Sequence, residues 1–400
     1  MVASILITVG LRYRSSTLLT LTASGSTIYP RQFSDAPLVS GAMTYRVVVW
    51  GTGNAGRPAI RAVAAHRDLE LVGCVVSNPA KVGRDAGELA FIDPLGVAAT
   101  DDVSVALADD VDCVVYTATA DTRPEHAVTD LLRCLQSGRN VVSTSFYPLL
   151  HPPSAPKEFL DVVLPACEAG QSSVFVSGID PGWAFDILPG LVSGVGAGIT
   201  EIRMQEVFNY ALYDAPDVVR DVIGFGNSMD ELPLMLLDYS LQMVWAPMVR
   251  IVAEMLEVEV EEVRTTVERR ALERTIDVPG MGKFEAGTQG AFRFQVQAIV
   301  DGRPLVVAEH ITRIDDACAP DWPQSSSPGG EHRIVMSGHP ELTVSVHGIE
   351  PGEPGAAGGG NASAANRIVN AIPAVCAAPA GPVSPLDLPV ITGAAQVVRG

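Results

Sequence analysis

Tyr45-Arg-Val-Val-Val-Trp50, followed at once by Gly51-Thr-Gly-Asn-Ala-Gly56, decides the fold of this chain. The first six residues are a short β-branched run of the kind that fills a strand buried on both faces. The next six form a G-x-G-x-x-G loop. After it, residues 58–66 (PAIRAVAAH) have alanine-rich helical character, and Pro58 suits a first helical turn, where its missing N–H is not needed. Residues 69–77 (LELVGCVVS) read as a second strand, so a β-α-β unit closes. In such a unit Gly51 permits the tight turn, Gly53 lets the backbone approach a pyrophosphate, and Gly56 lets helix and strand sit close. The helix N-terminus then faces the phosphates with unpaired N–H groups. Gly51, Thr52, Gly53, Asn54, Ala55 and Gly56 are therefore expected to cradle a dinucleotide.

The alternation continues outward. Residues 112–117 (DCVVYT) predict a strand, 125–137 a helix and 140–145 (NVVSTS) the next strand, which makes residues 44–178 a Rossmann-type, doubly wound parallel sheet. Ligands of such sheets collect at the carboxyl ends of the strands. That rule places Thr117, Ala118, Thr119 and residues 144–148, beginning with Thr144, beside a nicotinamide. An NAD-binding protein carries an acid at the end of the second strand to hold the ribose 2′-hydroxyl. Here the strand ends in Ser77 and Asn78, with Lys81 and Arg84 beyond and Asp85 as the next acid. Two cations beside small polar groups accommodate a 2′-phosphate, so NADP is expected over NAD; the alternative is that both are solvated loop charges.

Past residue 178 the pattern changes. Residues 185–195 read as a helix leading into a second, α+β domain over 179–360, 202–210 as a strand, and 229–271 as a long helical stretch interrupted by Pro233 and Pro247. Residues 291–300 alternate cleanly, then Asp301-Gly302 and a second alternating run follow, which is a strong hairpin signal. Residues 333–346 add a strand, giving an antiparallel sheet with one face free for a second subunit; a homodimer or homotetramer is expected. Residues 315–331 and 350–361 read as Pro/Gly/Ser-rich loops, 362–377 as a helix returning to the nucleotide domain, and 378–400 as an extended tail. Residues 1–42 are Ser-rich, hold three arginines and a single acid, and precede Met43, which reads as the natural start; the leader is expected to be non-native or disordered.

Composition limits the function. In 400 residues, 47% are hydrophobic and only 18% charged, and the formal net charge is −19, with no Lys/Arg cluster. Such a chain repels phosphate backbones, so nucleic acid is not an expected partner. No apolar stretch is long and uninterrupted enough to span a membrane. The six cysteines show no metal-ligand spacing, so no metal site is expected, and buried free thiols in a reducing, cytoplasmic compartment are the natural reading.

With YRVVVWGTGNAG, LELVGCVVSNPAKVGRDAGEL, NVVSTS, GIDPGWAFDILP and NRIVNAIPAVCAAPAG in hand, the chain resembles the 2,4-diaminopentanoate dehydrogenase and native amine dehydrogenase family, whose nucleotide domain is similar to that of dihydrodipicolinate reductase. The resemblance spans roughly residues 44–389 and implies NAD(P)-dependent interconversion of an amine with a ketone and ammonia, in an oligomer whose second domain supplies much of the substrate pocket. In that family a Cys-Glu-Glu-type phrase follows the NVVST-like strand, and one glutamate serves the amine chemistry. Here the phrase is Ser143-Thr-Ser-Phe-Tyr-Pro148, without a carboxylate. Nor are the paired histidines and nearby lysine of dihydrodipicolinate reductases present; residues 214–216 keep a fragment of that phrase without its lysine. Hydride transfer to or from a C=N or C=O carbon of a small metabolite needs a positioned proton donor. Tyr147 and His151, just past the strand, are the first candidates, with Asp180 and Tyr210 or Tyr213 behind them. His126, Cys134 and Cys167, on helices, are not expected to react. The alternative is a non-catalytic dinucleotide sensor or scaffold.

Overall fold

The computed structural model describes residues 44–120, 123–213, 215–351 and 355–398. The expectations for residues 1–42 and for Asp214 lie outside them. In chain order the elements are β1 (Tyr45–Trp50), α1 (Gly56–Ala65), β2 (Leu69–Val75), α2 (Ala86–Leu89), β3 (Ala99–Thr100), β4 (Cys113–Tyr116), α3 (Pro124–Gln136), β5 (Asn140–Ser143), α4 (Lys157–Gly170), β6 (Ser173–Val176) and α5 (Ile187–Ser193). Then come β7 (Ala197–Asn209), α6 (Asp238–Met255), β8 (Glu262–Ala271), β9 (Ile276–Val278), β10 (Gly282–Phe284), β11 (Gln289–Val300) and β12 (Arg303–Arg313). β13 (Gly330–His339), β14 (Leu342–Val346), α7 (Gly355–Cys376) and β15 (Gly381–Val383) complete the chain.

Among the described residues, one sheet has seven strands in the order β15-β6-β5-β4-β1-β2-β3, all parallel. Its central strands are buried on both faces, as their unbroken apolar runs require: Val47, Val48 and Val49 are fully enclosed. On one face, α1 and α7 bury Ile60, Val63, Ile368 and Ile372 against Val47, Val49 and Phe175. On the other, α3 and α4 contribute Leu131, Leu135 and Val163 to a core that runs on into the second sheet. Within the expected tail, 378–400, the chain forms β15: Gly381–Val383 pairs in parallel with Ser173–Phe175.

The second sheet has the order β14-β13-β7-β12-β11-β8 and is mixed rather than purely antiparallel, because β12 runs parallel to β7 while its other neighbouring pairs are antiparallel. The hairpin at Asp301-Gly302 forms as expected, with φ of +50° and +72° at the two turn residues and Val300 opposite Arg303. The helical reading fails over 262–271, which is strand β8. There Val263, Thr265 and Val267 alternate with more exposed Glu262, Arg264, Thr266 and Glu268, a period of two that only pairing with β11 brings out. The single strand expected over 333–346 is two, folded back on themselves after His339, where Pro340 has no N–H to continue a ladder. The loop expected over 350–361 is shorter, since α7 starts at Gly355. Gly359 explains part of this: a Cβ there would lie 2.1 Å from Gly348 O, so the glycines let the first turns of α7 pass against the chain from β14.

α6 covers the inner face of this sheet through Leu241, Trp245, Met248 and Val252. The outer face is polar, and on it Glu309 is fully buried beneath Gln205, Arg293 and Gln295, which donate at 2.6 to 2.7 Å. Among the described residues no helix is long and apolar enough to cross a membrane.

Candidate active site

The glycine loop has the geometry its spacing predicts. Gly51 sits at φ +109°, and a Cβ on it would lie 2.9 Å from Ala118 N; one on Gly56 would lie 2.0 Å from Gly51 O. A Cβ on Gly53 meets nothing within 4 Å. The loop is thus tight against protein at both ends and open in the middle, where a phosphate would approach. Asn54 Oδ1 accepts from Arg57 at 3.5 Å, and Ala55 is the last residue before α1. Lys81 crosses from the end of β2 and donates to Thr52 O at 2.9 Å and Thr52 Oγ1 at 3.0 Å, so a cation stands beside the loop. Ser77 and Arg84 are exposed, and Asn78 caps a short turn by accepting from Ala80 N at 3.0 Å. Asp85 is committed elsewhere: its oxygens accept from Leu95, Gly87 and Gly96 N–H groups, which hold its carboxyl below the usual range. These residues fit a dinucleotide, with Lys81 beside the loop and the carboxylate of Asp85 held by backbone N–H groups.

The ends of β4 and β5 are tied to the loop. Thr117 Oγ1 donates to Trp50 O and Gly51 O at 3.2 Å, Ser143 Oγ to Tyr116 O at 2.8 Å and Ser145 Oγ to Ala118 O at 2.8 Å. Thr144 is half-buried beside them and Thr119 is exposed. Ser177, whose N–H donates to Ser143 O, buries an Oγ that has no hydrogen-bond partner among the described residues. Phe146, at the place where the resemblance implies a carboxylate, belongs to the core: it is 3% exposed and its ring lies 5.1 Å from that of Tyr116. Tyr147 opens the following turn and packs at the edge of the same core. His151 turns to α6 instead, with Nδ1 2.8 Å from Ser154 Oγ and Nε2 3.2 Å from Glu254 Oε2; burial pushes its imidazole below the ordinary range despite Glu254. His126 is exposed on α3, and burial pushes the Cys134 and Cys167 thiols up to about 12, which leaves them inert.

A second group of side chains meets on the inner face of the mixed sheet. Asp180, in the turn after β6, places Oδ2 2.8 Å from His310 Nε2 on β12, and His310 Nδ1 lies 3.3 Å from Glu206 Oε1 on β7. Trp245 Nε1 donates to the other Asp180 oxygen at 3.0 Å, and Tyr210 OH donates to Glu206 at 3.0 Å. His332 on β13 has Nε2 3.6 Å from Glu206 Oε2. The His310 ring is stacked on Phe294 at 4.5 Å and edge-on to Trp245 at 4.7 Å. Burial alone would discharge this imidazole, but Asp180 and Glu206 outweigh it and push His310 up to about 10. Burial likewise raises Glu206, and His310 more than offsets it, so the carboxyl is held well below its usual range. Burial and Glu206 together keep the Tyr210 phenol protonated, well above its ordinary value. The ligand-capable atoms of Asp180, Glu206 and His310 lie within 4.8 Å of one another. Yet both imidazole nitrogens face carboxylates, which is the arrangement of an imidazolium bridge; a metal ligand would aim a nitrogen lone pair at the ion.

Asp180 and Tyr210 were legible as candidates, whereas Glu206, His310 and His332 were not. Glu206 and His310 are register partners across β7 and β12, and Glu206 faces His332 across β7 and β13. The only sequence signal was a charged group at an inward position of an otherwise apolar alternation, as with His310 between Ala308 and Thr312.

Residues 45–146 match the family described as dihydrodipicolinate reductase, N-terminus, and residues 185–400 match the 2,4-diaminopentanoate dehydrogenase C-terminal domain. An amine dehydrogenase of Streptomyces virginiae is 51% identical over 308 residues, 76% of this chain and 86% of that protein. The chain belongs to the 2,4-diaminopentanoate dehydrogenase and amine dehydrogenase family. As a member of it, the protein is an NAD(P)-dependent oxidoreductase. Its fold is that of the amine dehydrogenase from Mycobacterium smegmatis, with a TM-score of 0.69 at 20% identity over 88% of this chain and 98% of that one. A probable dehydrogenase from Thermotoga maritima shares the fold more distantly, with a TM-score of 0.52 at 13% identity over 86% of this chain and 92% of that one. This chain has Phe146 just past the end of β5, and Asp180, from the turn after β6, meets Glu206 of the second sheet through His310.

Proposed function

We propose that the protein interconverts a small primary amine with the corresponding carbonyl compound and ammonia, using NADP(H) in preference to NAD(H). The observation that carries the reading is the likeness to an amine dehydrogenase across 86% of that protein's length, supported by the buried carboxylates Asp180, in the turn after β6, and Glu206. Bound at the glycine loop, the dinucleotide supplies a hydride acceptor and donor at its nicotinamide. The protein's part is to hold the phosphates on the loop and the helix N-terminus, keep Thr117, Ser143 and Ser145 locked so that the crevice keeps its shape, and exclude water behind Phe146 and Tyr116. Two phenols are candidates to meet the reacting nitrogen or oxygen, Tyr147 in the turn after β5 and Tyr210 in the turn after β7. The cofactor preference rests on Lys81. In a fluorescence titration NADPH is expected to bind more tightly than NADH, and Lys81→Ala to abolish most of the difference, worth about tenfold for one charge-assisted contact; equal affinities in the unaltered protein would refute the preference. Turnover of amines with NADP, or of ketones with ammonium and NADPH, tests the reaction itself, and binding without any turnover would favour a sensor.

We further propose that the polar outer face of the second sheet pairs with a second copy in a homodimer or homotetramer. It presents Arg203 and Arg293, about a quarter exposed, above the buried Glu309, a charged layer of the kind expected beneath a partner rather than bulk water. Light scattering should report a dimer or larger; a monomer at micromolar concentration would refute it.

A further inference from the structure

We propose that Asp180, His310 and Glu206 act as one buried, net-negative unit that supplies from the second domain the carboxylate charge missing at the end of β5, and that Tyr210 presents it to a cationic amine nitrogen of the substrate. This rests on the amine reading above. Within the unit two carboxylates share one imidazole, placed 2.8 Å from Asp180 and 3.3 Å from Glu206, so one negative charge is left uncompensated among the three side chains. The Asp180 side chain is fully buried, and those of His310 and Glu206 are 3% and 10% exposed. Phe185, Trp245 and Phe294 wall the ring. In so dry a place the excess charge acts over several ångströms with little screening. The Asp180 and His310 contacts are close but lack hydrogen-bond alignment, which marks them as Coulombic. Buried polar atoms left imperfectly satisfied, with strongly perturbed titration, are characteristic of functional sites.

The position suits the task. Asp180 lies in the turn after β6, whose end is paired with Ser143 at the end of β5, so the cluster is joined through one turn to the strand ends where ligands of such sheets collect. Tyr210 spends its proton on Glu206, which leaves its oxygen lone pairs to accept from an N–H of the substrate. In amine oxidation the ammonium first loses a proton to water. The C–H bond at the α-carbon then breaks, its electron pair leaves as hydride to the nicotinamide, and an iminium cation forms. Water adds to that carbon, its two protons pass in turn to the nitrogen, and ammonium departs to leave the carbonyl compound. Positive charge grows on the nitrogen as the hydride leaves, and a fixed negative unit lowers that barrier. Glu206 and His310 are positioning residues in this scheme, and Tyr210 is the group that touches the substrate.

The test compares the full-length protein with Glu206→Gln, Glu206→Asp and Tyr210→Phe, each checked for NADP binding and circular dichroism. Turnover is read with cyclohexylamine and cyclohexanol. Binding to the NADP-loaded protein is read by calorimetry with tert-butylammonium, which has no α-hydrogen to lose, and with tert-butanol. Glu206→Gln and Tyr210→Phe are expected to lower kcat for the amine by about 100-fold and to remove an at least tenfold preference for the ammonium over the alcohol. Glu206→Asp should restore part of both. An unchanged amine kcat together with an unchanged preference in both Glu206→Gln and Tyr210→Phe would overturn the proposal while leaving the amine reading standing. If the unaltered protein turns over no amine, that reading falls separately, and the calorimetry still decides the role of the cluster. If Glu206→Gln does not fold, Tyr210→Phe, which removes a single oxygen, decides alone.

Discussion

Gly53→Ala is expected to leave thermal stability unchanged and to weaken NADPH binding by about 10- to 100-fold, the loss of one or two charge-assisted hydrogen bonds to phosphate. The new methyl meets no protein atom within 4 Å and the position carries no left-handed φ, so the folded chain has room for it. That room is where the backbone would approach the pyrophosphate. Gly56→Ala gives the contrasting result. Its methyl would lie 2.0 Å from Gly51 O, and a backbone oxygen cannot swing aside as a flexible side chain does. The loop and α1 must part, at about 1 to 3 kcal/mol of stability, and NADPH binding should fall with it. Thermal denaturation and fluorescence titration of the two variants separate a residue that makes room for the ligand from one that lets the loop close. Equal NADPH affinity in Gly53→Ala and the unaltered protein would contradict the placement of the phosphates.

His310→Leu is expected to destabilise the protein by about 3 to 5 kcal/mol, the usual consequence of removing one partner from a buried ionic group. Two carboxylates, Asp180 and Glu206, would then face one another across an apolar side chain. The same variant should change the pH dependence of stability. In the unaltered protein His310 is protonated up to about 10 when folded, against about 6.5 when unfolded. Its contribution is therefore complete below pH 6.5 and declines as pH rises towards 10, by about 1.4 kcal/mol per pH unit for one proton. Glu206, held low in the fold, works in the opposite direction and loses its contribution only on acidification. Chemical denaturation between pH 6.5 and 9.5 should show the decline in the unaltered protein and a flatter profile in His310→Leu. Adding Asp180→Asn and Glu206→Gln to His310→Leu should recover much of the lost stability, because the buried charges leave with their partner. A His310→Leu protein as stable as the original, with the same pH profile, would mean that the imidazole is neutral in the fold.

The placement of Lys81 gives the loop a second function besides any role towards a 2′-phosphate. Its ammonium holds Thr52 by both backbone oxygen and hydroxyl, so its removal also loosens the residue between Gly51 and Gly53. A drop in affinity for both cofactors with no change in their ratio would report that loosening alone.

What the sequence by itself determined is local. The run Tyr45–Trp50, the glycine loop, α1 and β2 are adjacent in the chain, and each restricts the next through backbone sterics, so their spacing suffices. Asp301-Gly302 set its hairpin in the same way, because two consecutive positive φ angles suit few other residue pairs. The tertiary structure alone decided the rest. Residues 262–271 contain good helix formers and became strand β8 because β11 offered a partner edge, a gain that no local propensity registers. Gly359 read as loop, and only the approach of Gly348 shows why a glycine stands there inside α7. Phe146 reads as the loss of an acid, and only the ring of Tyr116 beneath it shows a residue that builds the core. The carboxylates Asp180 and Glu206 and the imidazole of His310 lie far apart in the chain and meet through the register of β7 with β12 and the turn after β6. A pairing register is a property of two strands together, and for that reason the charged centre became visible only once they were side by side.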